Sequence, residues 1–207
     1  MSNCVAGFWL TNEQMFGIIT YSESEVAIIM AYKCCFTGYR PSKMPFNLDE
    51  ENEEYKNFEN CLIEEILNLI NEGCRTFYSG MALGFDIIAA ETILLLKEAY
   101  KNIELVCVLP FETQAESYSD SWKERYFSIL EKCDRKIVLS DEYFKGCYQR
   151  RNEFMVDNCD FVLTWYDGKA GGTRNTLNYA TKKQRHIVNV NKSEIETFAV
   201  QTEFELI

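Results

Sequence analysis

Histidine occurs once in this chain, proline three times and glycine ten times in 207 residues. The single imidazole, His186, opens a short apolar run, so neither a Ser-His-Asp triad nor a histidine-built metal centre is expected. No metal and no resident cofactor enter the reading. With so little proline and glycine, and no stretch dominated by serine, glycine or proline, a long flexible linker between two domains is excluded. No internal repeat is visible. No apolar run reaches the roughly 18 to 20 residues of a membrane helix, and the first residues lack a basic segment leading into an apolar core, so no membrane contact is expected. The nine cysteines include no C-x-x-C pair and mostly sit in apolar segments, which points to buried free thiols in a reducing cytoplasm.

Positive charge is also in short supply: 21 basic against 32 acidic side chains give a formal charge of -11. A field of that sign repels polyanions, so binding to extended nucleic acid is not expected. A basic pocket inside an acidic shell remains open, because a bound nucleotide senses groups within about one Debye length, roughly 8 to 10 Å. Apolar residues make up 47% of the chain, enough for one packed core at this length.

From Ala31 onward, short β-type runs alternate with longer helical ones. Strands are expected at Tyr32–Thr37, Arg75–Tyr78, Ile103–Leu109, Lys136–Leu139, Phe161–Trp165 and His186–Val190. Helices are expected near 53–71, 82–100, 121–132, 147–157 and 173–183. This alternation specifies an α/β fold: a Rossmann-like three-layer sandwich around a mostly parallel central sheet. Phe58, Leu62, Ile66, Leu69 and Ile70 recur at three- and four-residue spacing and form one apolar stripe. The helix from Ala82 to Tyr100 is apolar on almost every side and should be among the most buried. Residues 1–30 stand outside the alternation and are read either as a hairpin added to the sheet edge or as a poorly ordered extension; the domain, 31–192, is expected to dispense with them, since a start at Met30 would retain every strand of the alternation. Residues 193–207 are read as a tail.

In a parallel sheet the loops after the strands converge on one edge, where ligands bind. Four such edges carry unusual residues: Thr37-Gly38-Tyr39-Arg40-Pro41, Ser79-Gly80-Met81-Ala82-Leu83-Gly84-Phe85-Asp86, Pro110-Phe111, and Tyr166-Asp167-Gly168 running to Gly171-Gly172-Thr173. Gly80 and Gly84 let backbone amides approach a phosphate at a helix start, although a tight strand-to-helix turn needs the same glycines. Asp86, in the first helical turn, can cap amides or hold a ribose hydroxyl. Gly171-Gly172-Thr173 forms a second anion cradle or a capped helix start. Arg150 and Arg151 stand near a helix start, where the dipole does not favour cations; Arg151 offers a planar fork to phosphate or carboxylate, or an ion pair to an acidic neighbour. The aromatic stretch Tyr118 to Phe127, with Trp122, suits a lid or the packing beneath a loop.

Taken together, these segments, with Ala89-Ala90-Glu91 and with Arg151-Asn152 ahead of Asp160, resemble the YpsA-like branch of the SLOG superfamily over about residues 32 to 190. That superfamily also holds the Lonely Guy phosphoribohydrolases and the DNA-processing protein A family. The resemblance implies a Rossmann-like fold of bacterial or phage type with a nucleotide-type ligand at the strand edge. Lonely Guy enzymes carry G-G-x-G-T-x-x-E, whose glutamate helps cleave an N-glycosidic bond; here Arg174 and Asn175 replace its Gly-Thr and Asn178 replaces the glutamate. An amide cannot act as a base at neutral pH. The DNA-processing relatives use a basic surface, whereas here only Arg150, Arg151, Arg174, Lys182, Lys183 and Arg185 cluster in sequence.

The expected function is therefore binding or sensing of a nucleotide or a nucleotide-derived phosphorylated molecule. The expected site is Thr37, Gly38, Arg40, Ser79, Gly80, Met81, Gly84, Asp86, Arg151, Asn152, Gly171, Gly172 and Thr173. Alternatives are a nucleotide N-glycosidase using Arg151 with Asp86 or Glu91, and a protein-interaction module with a vestigial pocket. A homo-oligomer is compatible with each.

Overall fold

Six strands form one sheet in the order β4-β3-β2-β1-β5-β6, and every neighbouring pair runs parallel. The computed structural model describes residues 31–49 and 51–192; the readings for residues 1–30 and 193–207 fall outside them. The strands are β1 (Tyr32–Gly38), β2 (Cys74–Ser79), β3 (Glu104–Leu109), β4 (Arg135–Val138), β5 (Phe161–Trp165) and β6 (His186–Asn189), and the α-helices are α1 (Glu53–Asn71), α2 (Phe85–Leu96), α3 (Asp120–Lys132), α4 (Cys147–Asp157) and α5 (Gly172–Lys182). The sheet is wholly parallel, beyond the mostly parallel sheet expected.

The chain walks outward from β1 through β2 and β3 to β4, then returns to lay β5 against the other side of β1. Right-handed crossovers in opposite directions put helices on opposite faces. Accordingly α2 packs beside α1 and α3, and α4 packs on α5. Covered on both sides, β1 is apolar throughout its middle: Cys34, Cys35 and Phe36 are fully buried, as a doubly covered parallel strand requires. Cys74, Cys107 and Cys159 are buried thiols of the same core.

Helix α1 starts where Asn52 accepts the Tyr55 amide at 2.9 Å, a side-chain N-cap. Its buried stripe is Tyr55, Phe58, Leu62, Ile66, Leu69 and Ile70, each such side chain contributing about 1.5–3 kcal/mol by burial. Helix α2 is shorter than its apolar run suggests. It begins at Phe85, because Gly84 has φ +89° and ψ -121°, a conformation outside any helix. It ends at Leu96, and Leu95 is 59% exposed. Burial is confined to its first two and a half turns, from Phe85 to Ala90 and at Ile93. Trp122 lies on α3 partly buried against the core, with the Arg125 guanidinium 4.3 Å from its ring centroid, so this stretch packs as a helix. Among the described residues, no helix is long and apolar enough to cross a membrane.

Candidate functional site

The order in which strands are added reverses at β1, which leaves a crevice between the loops that follow β1 and β5, the switch point where open α/β sheets bind ligands. A cavity of about 350 Å³ opens there. The β1 loop supplies Thr37, Gly38, Tyr39, Arg40, Ser42 and Lys43; the β2–α2 turn supplies Ala82 and Asp86; α4 supplies Tyr148, Arg151 and Asn152; and α5 supplies Gly172 and Thr173. Three cations and one carboxylate face the cavity, a local reversal of the chain's -11. A larger depression of about 480 Å³, lined by Tyr32, Asp160 and His186, lies at the opposite edge, where strands begin. It lacks both helix N-termini and a comparable cationic lining.

Arg151 organises the site. It is 3% exposed, with Nη1 donating to the Gly80 carbonyl, Nε donating to Asn152 Oδ1 at 2.8 Å, and Nη1 lying 4.0 Å from Asp86 Oδ2. Asn152 passes the connection on, its Nδ2 donating to Thr176 Oγ1 at 2.9 Å, and that hydroxyl donating to the Gly172 carbonyl at 3.0 Å. The start of α5 is thereby tied to α4. Thr173 ties it to β1, with Oγ1 donating to the Gly38 carbonyl at 3.0 Å. Gly171, the residue at the N-cap, has no side chain to offer the first-turn amides, so those amides and the positive end of the helix dipole remain directed at the cavity.

Asp86 is 5% exposed. Burial pushes its carboxyl up to about 6, against the lowering effects of Arg151 and of the Ala82 amide. Burial likewise lowers the Arg151 guanidinium, while Asp86 works in the other direction. In both partners desolvation outweighs their attraction, as expected for a pair 4.0 Å apart with its hydrogen bonds spent elsewhere.

The turn from Ser79 to Gly84 departs from the phosphate cradle expected of it. Ser79 Oγ donates to the Asp86 carbonyl at 2.9 Å and accepts the Met81 amide at 3.1 Å. The Ala82 amide points to Asp86 Oδ2 at 3.4 Å, and the Phe85 amide donates to the Tyr39 carbonyl at 3.1 Å. Three amides are thus used internally. The room that Gly80 leaves is filled by the Arg151 guanidinium, and Gly84 is glycine because a Cβ would sit 2.5 Å from the Tyr39 carbonyl oxygen. Ser79, Gly80, Met81 and Gly84 therefore form the wall behind the cavity. Gln114 and Tyr118 brace that wall, donating to the Met81 carbonyl at 2.6 and 3.2 Å.

Of the expected residues, Thr37, Gly38, Arg40, Asp86, Arg151, Asn152, Gly172 and Thr173 line the cavity. Gly171 stands beside it, a Cβ there meeting Lys43 Nζ at 2.8 Å. Glu91 lies elsewhere: its carboxylate takes both ends of the Arg125 fork, at 2.8 and 2.5 Å. Asn178, at the position of the glutamate in the resembled enzymes, is exposed and absent from the lining. Of the basic sequence cluster, Arg151 is buried, Lys183 pairs with Asp157 at 2.6 Å, and Arg185 is bound to the Val156 and Asp157 carbonyls. Lys43 and Tyr148 were missed. Each sits three residues from a residue already singled out, Lys43 after Arg40 in one loop and Tyr148 before Arg151 on one helix face.

The family model YpsA, described as the YspA SLOG family, matches residues 34–201. The chain belongs to this family. Among its relatives, the uncharacterised SPbeta prophage-derived protein YoqJ of Bacillus subtilis is 32% identical over 133 residues, covering 58% of this chain and 77% of that protein. The protein YpsA of Bacillus subtilis is 23% identical over 151 residues, covering 72% of this chain and 83% of that protein. Among solved structures, DNA processing protein A of Helicobacter pylori, described for its single-stranded DNA binding mode, superposes with a TM-score of 0.53 at 17% identity over 83% of this chain and 75% of that one. DNA processing protein A of Streptococcus pneumoniae gives a TM-score of 0.49 at 16% identity over 77% of this chain, which spans half of that protein's length. The Rossmann-like architecture of this SLOG chain agrees with the Helicobacter structure.

Proposed function

We propose that this SLOG domain binds a nucleotide or a nucleotide-derived phosphorylated ligand, with the phosphoryl group seated at the N-terminus of α5. The observation that carries the reading is the convergence of Arg40, Lys43 and Arg151 with the uncapped first turn of α5 on one cavity at the switch point. Amides and dipole favour an anion there. Arg151, held by Gly80 and Asn152, presents a fixed cation that needs no reordering to meet a phosphate. Asp86, 4.0 Å from the Arg151 guanidinium and lining the same cavity, is the group available to ribose hydroxyls.

The test is thermal unfolding and calorimetric titration of the full chain with nucleoside mono- and diphosphates, ADP-ribose, a cyclic dinucleotide and a short single-stranded oligonucleotide. The oligonucleotide belongs in the panel because the Helicobacter neighbour is described as binding single-stranded DNA. A ligand at 100 times its dissociation constant adds about 2.7 kcal/mol of stability. Absence of any shift across the panel would overturn the reading and leave an interaction module with a vestigial pocket.

A second reading rests on Asp86, whose carboxyl at about 6 titrates near neutrality while facing the cavity. Such a group can trade a proton with a leaving base, the requirement of an N-glycosidase. Steady release of free base from a nucleoside monophosphate, lost in Asp86→Asn, would favour catalysis over binding alone.

A further inference from the structure

Beside the cavity, three aromatic rings from separate segments meet. Phe111 follows β3, Tyr143 lies in the β4–α4 loop, and Tyr148 lies in the first turn of α4. Phe111 contacts both tyrosines nearly edge-on, with ring centroids 5.7 Å from Tyr143 and 5.9 Å from Tyr148, and the two tyrosines are 6.5 Å apart. Phe111 is 6% exposed, but Tyr143 is 63% exposed. A buried ring thus holds an exposed one in place. The adjoining Phe144 is 38% exposed, with the Arg150 guanidinium 5.9 Å from its ring centroid.

Tyr148 belongs to both places: it lines the cavity and joins the ring cluster. It precedes Arg151 by three residues, about 4.5 Å along the axis, so α4 offers a flat aromatic group and a fixed cation on the same side. A nucleotide carries a flat base and an anion separated by a sugar. We propose that the Tyr143–Tyr148 ledge is the nucleobase subsite of the cavity, on which the base of a bound nucleotide stacks; this rests on the reading that the cavity takes a phosphorylated nucleotide. Stacking on a ring face is open to every base. The subsite therefore accepts nucleotides whatever their base and distinguishes a nucleotide from a bare sugar phosphate.

The experiment titrates the full chain with AMP, GMP and ribose 5-phosphate by calorimetry, in wild type, Tyr143→Ala and Tyr143→Trp. Loss of one base–aromatic stack weakens binding by roughly 5- to 150-fold. Wild type is expected to bind both nucleotides at least about tenfold more tightly than ribose 5-phosphate. Tyr143→Ala should bring AMP and GMP close to ribose 5-phosphate while leaving the sugar phosphate unchanged, and Tyr143→Trp should retain the preference. Equal affinity of wild type for AMP and ribose 5-phosphate, or indifference of AMP binding to Tyr143→Ala, overturns the base subsite and leaves phosphate binding standing. Failure of all three molecules to bind overturns the subsite as proposed, and if the wider nucleotide panel is silent as well, the cavity reading falls with it. Because Tyr143 is exposed, its replacement does not open the core, and a normal unfolding transition in the variant confirms that the comparison is valid.

Discussion

Arg151 and Asp86 face each other across 4.0 Å, each no more than 5% exposed, and the guanidinium spends its nearer nitrogen on the Gly80 carbonyl. The pair is therefore a charge arrangement set by the backbone turn as much as by mutual attraction. Removing one member of a buried pair strands the other, at a cost of about 3–5 kcal/mol, whereas replacing both by apolar groups is often neutral. Arg151→Met is expected to lower the unfolding free energy by that amount in urea. Arg151→Met with Asp86→Leu should recover part of the loss. A double variant no more stable than Arg151→Met would show that the lost bonds to Gly80 and Asn152, and not the stranded carboxylate, dominate.

The raised Asp86 carboxyl fixes the sign of a pH effect. Its folded value of about 6 exceeds the ordinary 3.8, so between those values the folded state holds a proton that the unfolded state has lost. Its contribution to stability is fully present below about pH 4 and is lost as pH rises through 6. At about 1.36 kcal/mol per unit, the full change is about 3 kcal/mol. Asp157, held below its ordinary value chiefly by Lys183, acts in the opposite direction at more acid pH, but it is common to wild type and Asp86→Asn and cancels between them. The stability of wild type relative to Asp86→Asn should therefore fall between pH 4 and 7. A difference independent of pH would show that the carboxyl titrates normally.

Gly84 and Gly146 separate two reasons for glycine. Both have positive φ, +89° and +97°, but a Cβ on Gly84 would lie 2.5 Å from the Tyr39 carbonyl oxygen, whereas a Cβ on Gly146 would point into open space. Backbone strain alone costs about 1–3 kcal/mol. Gly146→Ala should lose about that much by thermal unfolding. Gly84→Ala should lose more, because Tyr39 and the start of α2 must also move. Equal losses would mean that the β1 loop yields without cost.

This contrast also marks what was legible in the sequence. Among the described residues, the alternation of apolar runs located every strand and α-helix because burial on both faces leaves its mark residue by residue, as in Cys34-Cys35-Phe36. A glycine, however, reports only that something comes close. At Gly80 the approaching group is the Arg151 side chain, 71 positions away, and at Gly84 it is the backbone of Tyr39. Neither is written near the glycine. Arg40 and Arg151 were legible as cations at strand and helix ends, but the commitment of Glu91 to Arg125 depends on the packing of α2 beside α3. Lys43 and Tyr148 were passed over because a lone lysine and a lone tyrosine carry no pattern until the fold brings them to the cavity.

Gly172 offers a variant in which folding and binding part company. It is the first residue of α5, it is exposed, and no atom lies within 4 Å of the Cβ it lacks. Aspartate there meets no steric obstacle. A carboxylate in the first turn complements the helix dipole by about 0.3–1 kcal/mol, so Gly172→Asp should be at least as stable as wild type. The same carboxylate would occupy the ground on which a phosphoryl group is proposed to rest and would neutralise part of the field of Arg40, Lys43 and Arg151. Phosphate-bearing ligands should therefore bind at least about tenfold more weakly, a loss of about 1.4 kcal/mol, while thermal unfolding of the free protein stays level or rises. Tight binding in a stable Gly172→Asp protein would move the anion away from α5 and toward the cations of the β1 loop.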